Sequence, residues 1–347
     1  MRLTEFFADD AAAIDAFVAL ENAVQDADAP WEYPSTTYRL EMRMRHGWDG
    51  ELSRWFLAYV EDGDPVGSVI IHAGDYDNLD SCWLSISVHP DRRRRGHGRA
   101  VLELVLELCR EMNRPLVGID GWDSEATHGF AAAGGFEKKS QAISRRMTLA
   151  DVPVETVQAL YDEAAGRASD YELVRIKGYS PDDLLEALAE STAAINDAPL
   201  DDLEMEDEVF TADRIRCYEA AQIEGGHRFY RLIARHRESG EIGGLTVVSV
   251  DVEQPADGEQ HDTSVVRAHR GHRLGLLLKA DMVRWLATEE PGLRTIDTWN
   301  AESNDFMISV NERLGYLILG RDVQFQRRLE TSAQPPERTL VADPGRR

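Results

Sequence analysis

The sequence predicts an α/β protein built twice over, each copy an α+β mixed sheet with a basic, glycine-containing turn between a central strand and a helix. Three observations carry this prediction. Trp83-Leu84-Ser85-Ile86-Ser87-Val88 alternates as a strand does, and Ala100–Cys109 is strongly apolar and free of glycine and proline. Between them lies His89-Pro90-Asp91-Arg92-Arg93-Arg94-Arg95-Gly96-His97-Gly98-Arg99, too basic and turn-rich for either element. Finally, the pattern recurs 177 residues later: Ile119-Asp120-Gly121-Trp122-Asp123 answers Ile296-Asp297-Thr298-Trp299-Asn300, and Arg93–Gly98 falls on Arg270–Gly275. A period this long marks duplicated domains rather than a solenoid.

The first copy occupies residues 1–150. Met1–Phe7 reads as a strand, Asp10–Val24 as an amphipathic helix, and Thr37–His46 as a second helix after a loop bearing Pro30, Trp31, Tyr33 and Pro34. Arg54–Val60 and Pro65–Ala73 form a hairpin around Glu61-Asp62-Gly63-Asp64. Leu84–Val88 is the central strand, Gly98–Asn113 the following helix and Pro115–Asp120 the next strand. Helix Glu125–Ala133 is stopped by Gly134-Gly135, and two final strands cover Phe136–Lys139 and Ala142–Leu149.

Residues 151–168 form a helical connector, and residues 169–330 the second copy. Tyr171–Lys177 is its first strand, and Ser180-Pro181 starts a helix that runs to about Ile195, with Ser180 as the cap. The loop Asn196–Glu208 is dense in acid, and helix Ala212–Ile223 follows it. Strands Phe229–Arg237 and Glu241–Val250 form a hairpin; Thr263–Arg267 is central, Leu274–Glu289 its helix and Arg294–Trp299 the next strand. Asn304–Arg313 is helical up to Gly315, and strands near Tyr316–Leu319 and Val323–Leu329 finish the copy. From Thr331 the composition turns to Ser, Pro, Asp and Gly, the signature of a disordered tail over 331–347.

Composition narrows the function. A net charge of −25 argues against a general nucleic-acid binder and favours a cationic or amine substrate. The start shows no signal-peptide apolar region and no run approaches membrane-spanning length, so the expectation is a cytoplasmic protein without a membrane partner. Cys82, Cys109 and Cys217 are widely spaced, and reduced thiols are expected. No GxxxxGK[ST] is present, which disfavours a phosphate-loop nucleotidase.

The basic turn is the candidate binding element. Gly96 and Gly98 let backbone approach a ligand, and the N–H groups entering the helix carry the positive end of its dipole. Such a terminus suits phosphate or pyrophosphate.

Val88-x-Pro90-x-x-Arg93-x-x-Gly96-x-Gly98 resembles the coenzyme A-binding motif of the GCN5-related N-acetyltransferase (GNAT) superfamily, and Val265-x-Arg267-x-x-Arg270-x-x-Arg273-x-Gly275 is similar to it. The late segment Asn304-x-x-Met307-x-x-x-Asn311-Glu312-Arg313-Leu314-Gly315-Tyr316 resembles that superfamily's last helix and Gly-aromatic pair. The tandem layout is similar to that of the mycothiol synthases.

The resemblance implies two acyl-CoA N-acyltransferase domains that use acetyl-CoA as co-substrate and need no metal. Carried over by position, Ile86 and Val88 would flank the pantetheine, and Arg93, Arg94, Arg95, Gly96, His97, Gly98 and Arg99 would hold the pyrophosphate. Val265, Arg270, Gly271, His272, Arg273, Leu274 and Gly275 are their second-copy counterparts, with Asn304 as the late-motif asparagine. Where the superfamily often carries a tyrosine as general acid, this chain has Asn311, and the first copy has Ala131. Asn311 could hydrogen-bond the leaving sulfur or serve as an ordinary helix residue. Arg273 replaces a motif glycine and would either crowd the pyrophosphate or contact it.

Glu259 is the expected general base, and Glu204, Glu206 and Asp262 the expected holders of the substrate ammonium. The first copy is expected to bind coenzyme A and the second to carry catalysis, with one copy potentially structural. Trp122 and Trp299 read as packing residues at equivalent strand ends. Three functional classes remain: an N-acetyltransferase acting on a small amine, an acyl-CoA-binding sensor without turnover, and a protein N-acetyltransferase. A homodimer stays open.

Overall fold

The computed structural model describes residues 1–60 and 63–330. The expected tail over 331–347 and the centre of the first hairpin turn lie outside the described residues.

The first half supplies β1 (Arg2–Phe6), α1 (Ala11–Asp28), α2 (Thr37–His46), β2 (Arg54–Tyr59), β3 (Gly67–His72), β4 (Ser81–Val88), α3 (His97–Glu111), β5 (Leu116–Trp122), α4 (Glu125–Ala133) and β6 (Glu137–Thr148). After α5 (Val154–Ala165), the second half repeats the series. It comprises β7 (Tyr171–Lys177), α6 (Leu185–Thr192), α7 (Ala212–Glu224), β8 (His227–His236), β9 (Ile242–Asp251), β10 (Asp257–Val265), α8 (Leu274–Glu289), β11 (Thr295–Ala301), α9 (Asp305–Arg313) and β12 (Leu317–Arg328). Side chains start the helices where the sequence offers an oxygen: Asp10 accepts from the Ala13 N–H, Thr36 from Arg39, Ser124 from Thr127 and Thr211 from Arg214.

The strands form one twelve-stranded sheet in the order β1-β2-β3-β4-β5-β12-β6-β11-β10-β9-β8-β7. The last strand of each half has crossed to the other. β12 pairs antiparallel with β5, β6 pairs antiparallel with β11, and β6 and β12 pair with each other at the centre. The two final strands expected in each half are therefore one long strand apiece. No glycine turn interrupts Lys139–Ala142, and each long strand finds its antiparallel neighbours in the other half's strands. β12 absorbs its Gly320 with a register shift between Ile318 and Gly320 rather than a turn.

Helices cover both faces. On one face, Val101, Leu102, Val105, Leu106 and Cys109 of α3 pack on Leu84, Val117 and Ile119, while α5 and α8 build the corresponding core of the second half. On the other face, Phe17 and Val18 of α1 and Leu40 and Met44 of α2 meet Trp55 and Leu57, and α6 and α7 meet Phe229 and Ile233. The alternation of β-strand side chains makes this two-sided burial possible.

Ser180 does not cap the helix expected after it. Pro181 is extended, with ψ 141°, and the helix proper begins at Leu185. Ser180 is instead drawn into a buried ion pair. Its N–H donates to Glu219 Oε2 at 3.2 Å and its Oγ accepts from Arg231 Nη1 at 2.6 Å. Buried charges need every such partner.

Candidate functional site

The parallel strands β4 and β5 pair only from Ser81↔Leu116 to Leu84↔Ile119. Beyond that point they diverge, leaving one edge of Ser85–Val88 without a ladder partner. β10 and β11 diverge in the same way after Glu259↔Asp297. In the first half the divergence opens into a cavity of about 1320 Å³, lined by both strands, α1, α2, the basic turn and parts of the second half.

One end of the cavity is cationic. Arg92, Arg93, Arg94 and Arg99 line it together with Gly96, His97 and Gly98. Gly96 is left-handed at φ 84° and caps α3 with no side-chain hydrogen bond, so the first N–H groups of the helix stay free. A Cβ on Gly98 would stand 3.2 Å from the Phe130 ring and 3.6 Å from Val88. A Cβ on Gly96 would meet nothing within 4 Å, so the turn is open at that residue. Arg93 is spoken for: its Nε donates to the Val88 carbonyl at 3.0 Å and its two Nη atoms clamp Asp28 at 2.7 Å. It shapes the turn, while Arg92 and Arg94 make no side-chain hydrogen bond among the described residues.

The other end lies over the face covered by α1 and α2. Asp120 sits one residue past the last position at which β5 pairs with β4 and is open to the cavity. The Trp83 indole N–H donates to its Oδ1, and burial pushes its carboxyl above the ordinary range. Glu21 accepts from the Ser68 and Ser87 hydroxyls and is likewise raised by burial. Glu32, Trp31, Tyr33, Arg39, Arg43 and Trp48 complete the wall. From the second half come Gln222, His227, Glu259, Gly320 and Arg321. Trp122 stands 5.3 Å from Trp31 and 5.4 Å from Trp299, ring centre to ring centre, and a Cβ on Gly320 would strike Trp122 at 2.6 Å. Trp122 packs between Trp31 and Trp299 and also lines the cavity, while Trp299 is itself 43% exposed.

Glu259 belongs to β10 yet faces this first-half cavity, open to it and raised by burial. The other acids named from sequence are elsewhere. Glu204 pairs with Arg328 at 2.9 Å, and the Glu206 backbone N–H donates to Asn78 Oδ1 at 2.8 Å; neither lines the cavity. Asp262 lies within electrostatic reach of Glu208, whose carboxyl burial pushes up to about 7. The acid loop is held by its own partners: Arg214 pairs with Glu208 at 3.3 Å as well as with Asp77 at 2.6 Å.

The second-half turn has the same backbone but a different chemistry. Arg273 caps α8 at φ 58°, and Gly271 is left-handed at φ 90°. Arg270 Nε donates to the Val265 carbonyl at 3.2 Å, as Arg93 does to Val88. Here, however, Asp197 pairs with both Arg267 and Arg270, while Glu163 of α5 pairs with both Arg273 and Arg313. His269 bonds the Tyr171 hydroxyl at 2.8 Å, the His272 ring lies 5.4 Å from Tyr171, and Leu274 and Gly275 are buried. Arg273 pairs with a carboxylate of its own chain, Glu163. Asn304 caps α9 through Met307, and Asn311 is fully buried with its Nδ2 on Asn300 Oδ1 at 2.6 Å.

Sequence reasoning passed over Glu21, Glu32, Arg43 and Asp120. Asp120 alone carried a signal, its place in the duplicated Ile-Asp-x-Trp.

The site is thus a diverging parallel strand pair beside an uncapped, glycine-containing helix start. Residues 20–133 match the Acetyltransferase (GNAT) family, and the whole chain has a tandem GNAT fold. It is similar to a tandem GNAT protein from the clavulanic acid biosynthesis pathway, at 24% identity and TM-score 0.80, over 96% of this chain and 99% of that one. A GCN5-related N-acetyltransferase from Sphaerobacter thermophilus superposes with TM-score 0.65 at 17% identity, over 94% of this chain and 95% of that one. The glucosamine N-acetyltransferase region of a fungal multi-domain GH3 β-N-acetylglucosaminidase gives TM-score 0.65 at 16% identity, over 94% of this chain and 38% of that one. At these identities the likeness is one of fold. No curated protein matches the chain. Among the described residues no helix is long and apolar enough to cross a membrane.

Proposed function

We propose that the chain is an N-acetyltransferase that moves an acetyl group from acetyl-CoA to the amine of a small molecule, within a ternary complex in the first-half cavity. The observation that carries this reading is the strand divergence after Leu84 and Ile119, which leads from an anion cradle at one end to a carboxylate open to the cavity, Asp120, beside the gap. The residues present fit the co-substrate: the cradle at Gly96 is open and the α3 N-terminus is uncapped.

Acetyl-CoA, when bound, supplies an activated thioester whose thiolate is a good leaving group. The first N–H groups of α3, with Arg92 and Arg94, receive the pyrophosphate. The free edge of Ser85–Val88 offers backbone donors and acceptors to an amide-bearing arm. Asp120 keeps one carboxylate oxygen bonded by Trp83 and the other available to take the amine proton. This assigns the proton-accepting role to Asp120 rather than Glu259, because Asp120 stands at the point of divergence. Asn311 takes no part in this reading; it is buried against Asn300 in the second half. The second half supplies the cavity's far wall, and its own turn is neutralised by Asp197 and Glu163.

Calorimetric titration with acetyl-CoA, followed by thiol release in the presence of small amines, tests the reading. Saturable binding lost in Gly98→Trp, together with amine-dependent thiol release, is the expected result. Binding without release to any amine would assign the sensor role instead. No binding to the folded protein would overturn the proposal.

A further inference from the structure

Arg43 and Glu259 face the same cavity from opposite halves of the chain. Arg43 projects from α2, is exposed to the cavity, and has its guanidinium carbon 5.1 Å from the centre of the Trp48 ring. Among the described residues its guanidinium makes no hydrogen bond and no ion pair. Glu259 is also open to the cavity and likewise without a hydrogen-bond or ion-pair partner there. The two are close enough to influence each other's charge, yet no ion pair joins them. Neighbouring charges of the same wall are satisfied: Arg39 pairs with Asp251 at 3.0 Å and Arg146 with Asp297 at 2.6 Å. Two unlike charges that open onto one cavity, with no protein partner for either, are free to be satisfied together by one ligand that carries both signs.

We infer that the acceptor is a zwitterion of the amino-acid type, its carboxylate bound by Arg43 and an ammonium bound by Glu259. The guanidinium fork matches a carboxylate in two parallel hydrogen bonds, which an ammonium-only acceptor would leave unmade. Trp48 fixes the fork by stacking beneath it. Glu32, raised by burial and sensing the Glu259 charge, adds a second acceptor for ammonium or hydroxyl donors. The inference rests on the acyl-transfer reading for what happens next, since the acceptor must also present an unprotonated amine to Asp120. It does not rest on it for binding. A diamino acid meets both needs, one ammonium staying on Glu259 while the second amine, its proton passed to Asp120, faces the gap.

Matched probes separate the two claims. The full-length protein is titrated calorimetrically with lysine, β-alanine, 4-aminobutyrate and 6-aminohexanoate, and with cadaverine, ethylamine, propylamine and pentylamine, which lack only the carboxylate. At least one zwitterion is expected to bind roughly tenfold or more tighter than its decarboxylated partner, the worth of a charge-assisted bidentate contact. Arg43→Met is expected to erase that ratio and Arg43→Lys to restore part of it, while Glu259→Gln weakens both members of a pair alike. Acetyl-CoA affinity should stay unchanged in all three variants. Equal binding of both members, a ratio untouched by Arg43→Met, or no binding of any zwitterion to a protein that binds acetyl-CoA would overturn the inference. Loss of acetyl-CoA binding in the unmodified protein, with the zwitterion preference intact, would instead overturn the acyl-transfer reading alone.

Discussion

Arg273 holds, at φ 58°, the same left-handed cap position before its helix that Gly96 holds at φ 84° in the other half. The backbone of the turn has been kept through the duplication while its charge has been answered from within. Asp197 and Glu163 occupy the second turn's guanidinium groups, and the first turn leaves Arg92 and Arg94 free. Acetyl-CoA is therefore expected to bind one equivalent per chain. Calorimetry should find that single equivalent abolished by Gly98→Trp and preserved in Arg273→Gln, which leaves the first-half cradle intact.

Asp120 sets the expected pH dependence. Its carboxyl lies above the ordinary range because burial outweighs the Trp83 hydrogen bond. A proton acceptor works only when ionised, so kcat/KM should fall as pH drops through this raised value, at a pH higher than an ordinary aspartate would give. Asp120→Asn should lower kcat by roughly 10²–10⁴-fold and flatten that limb, with acetyl-CoA affinity unchanged. A pH–rate profile with unaltered acidic limb in the variant would assign the proton to another group.

Gly118 gives a steric route to the same carboxylate. A Cβ there would lie 2.0 Å from the Trp83 ring, which rests on the bare backbone and donates to Asp120. Gly118→Ala must push the indole aside. A drop in kcat of about tenfold or more is expected, accompanied by a change in tryptophan fluorescence.

Lys279 predicts an effect on stability alone. It is fully enclosed in the second-half core, 4.9 Å from the centre of the Tyr316 ring, and burial lowers its pKa to about 7. Between that value and the ordinary lysine range the unfolded chain binds a proton that the folded chain does not, so stability rises with pH through this window. The equivalent residue of the first half is Leu102, an apolar residue that is also buried. Lys279→Met should stabilise the protein by on the order of a few kcal/mol below pH 7 and remove the rise above it, as denaturant titration at several pH values would measure.

The pair Glu219–Arg231 should behave in the opposite sense. Glu219 is wholly buried, is bonded by Arg231, and also accepts from Arg216 at 2.7 Å and the Ser180 N–H at 3.2 Å. Glu219→Ala leaves Arg231 charged and unpaired in the core, and a loss of ~3–5 kcal/mol in unfolding free energy is expected.

Much of the fold was legible because it is local. The strand–turn–helix unit around Gly96 follows from alternating apolar residues, a proline–glycine turn and an unbroken apolar helix, and its recurrence at a fixed offset announced the second half. The one helix cap expected from local spacing, Ser180, is drawn away by a distant residue, its Oγ accepting from Arg231. Less of the site was legible. Glu259 was visible as an acid before a central strand, and its use by the other half's cavity was not. Glu204 and Glu206 stood out as part of an acidic loop, yet their partners are Arg328 and Asn78.

The sequence by itself determined the repeated unit, the basic turn and the family resemblance, because each depends on residues within a few positions of one another. Only the tertiary structure decided which turn stays open, and that Arg43 and Glu259 share a wall. The first follows from Asp197 and Glu163 reaching the second turn, and the second from the exchange of β6 and β12, which joins the two halves in one sheet. Pairing between distant strands is chosen by the burial of whole faces, and no local spacing records it.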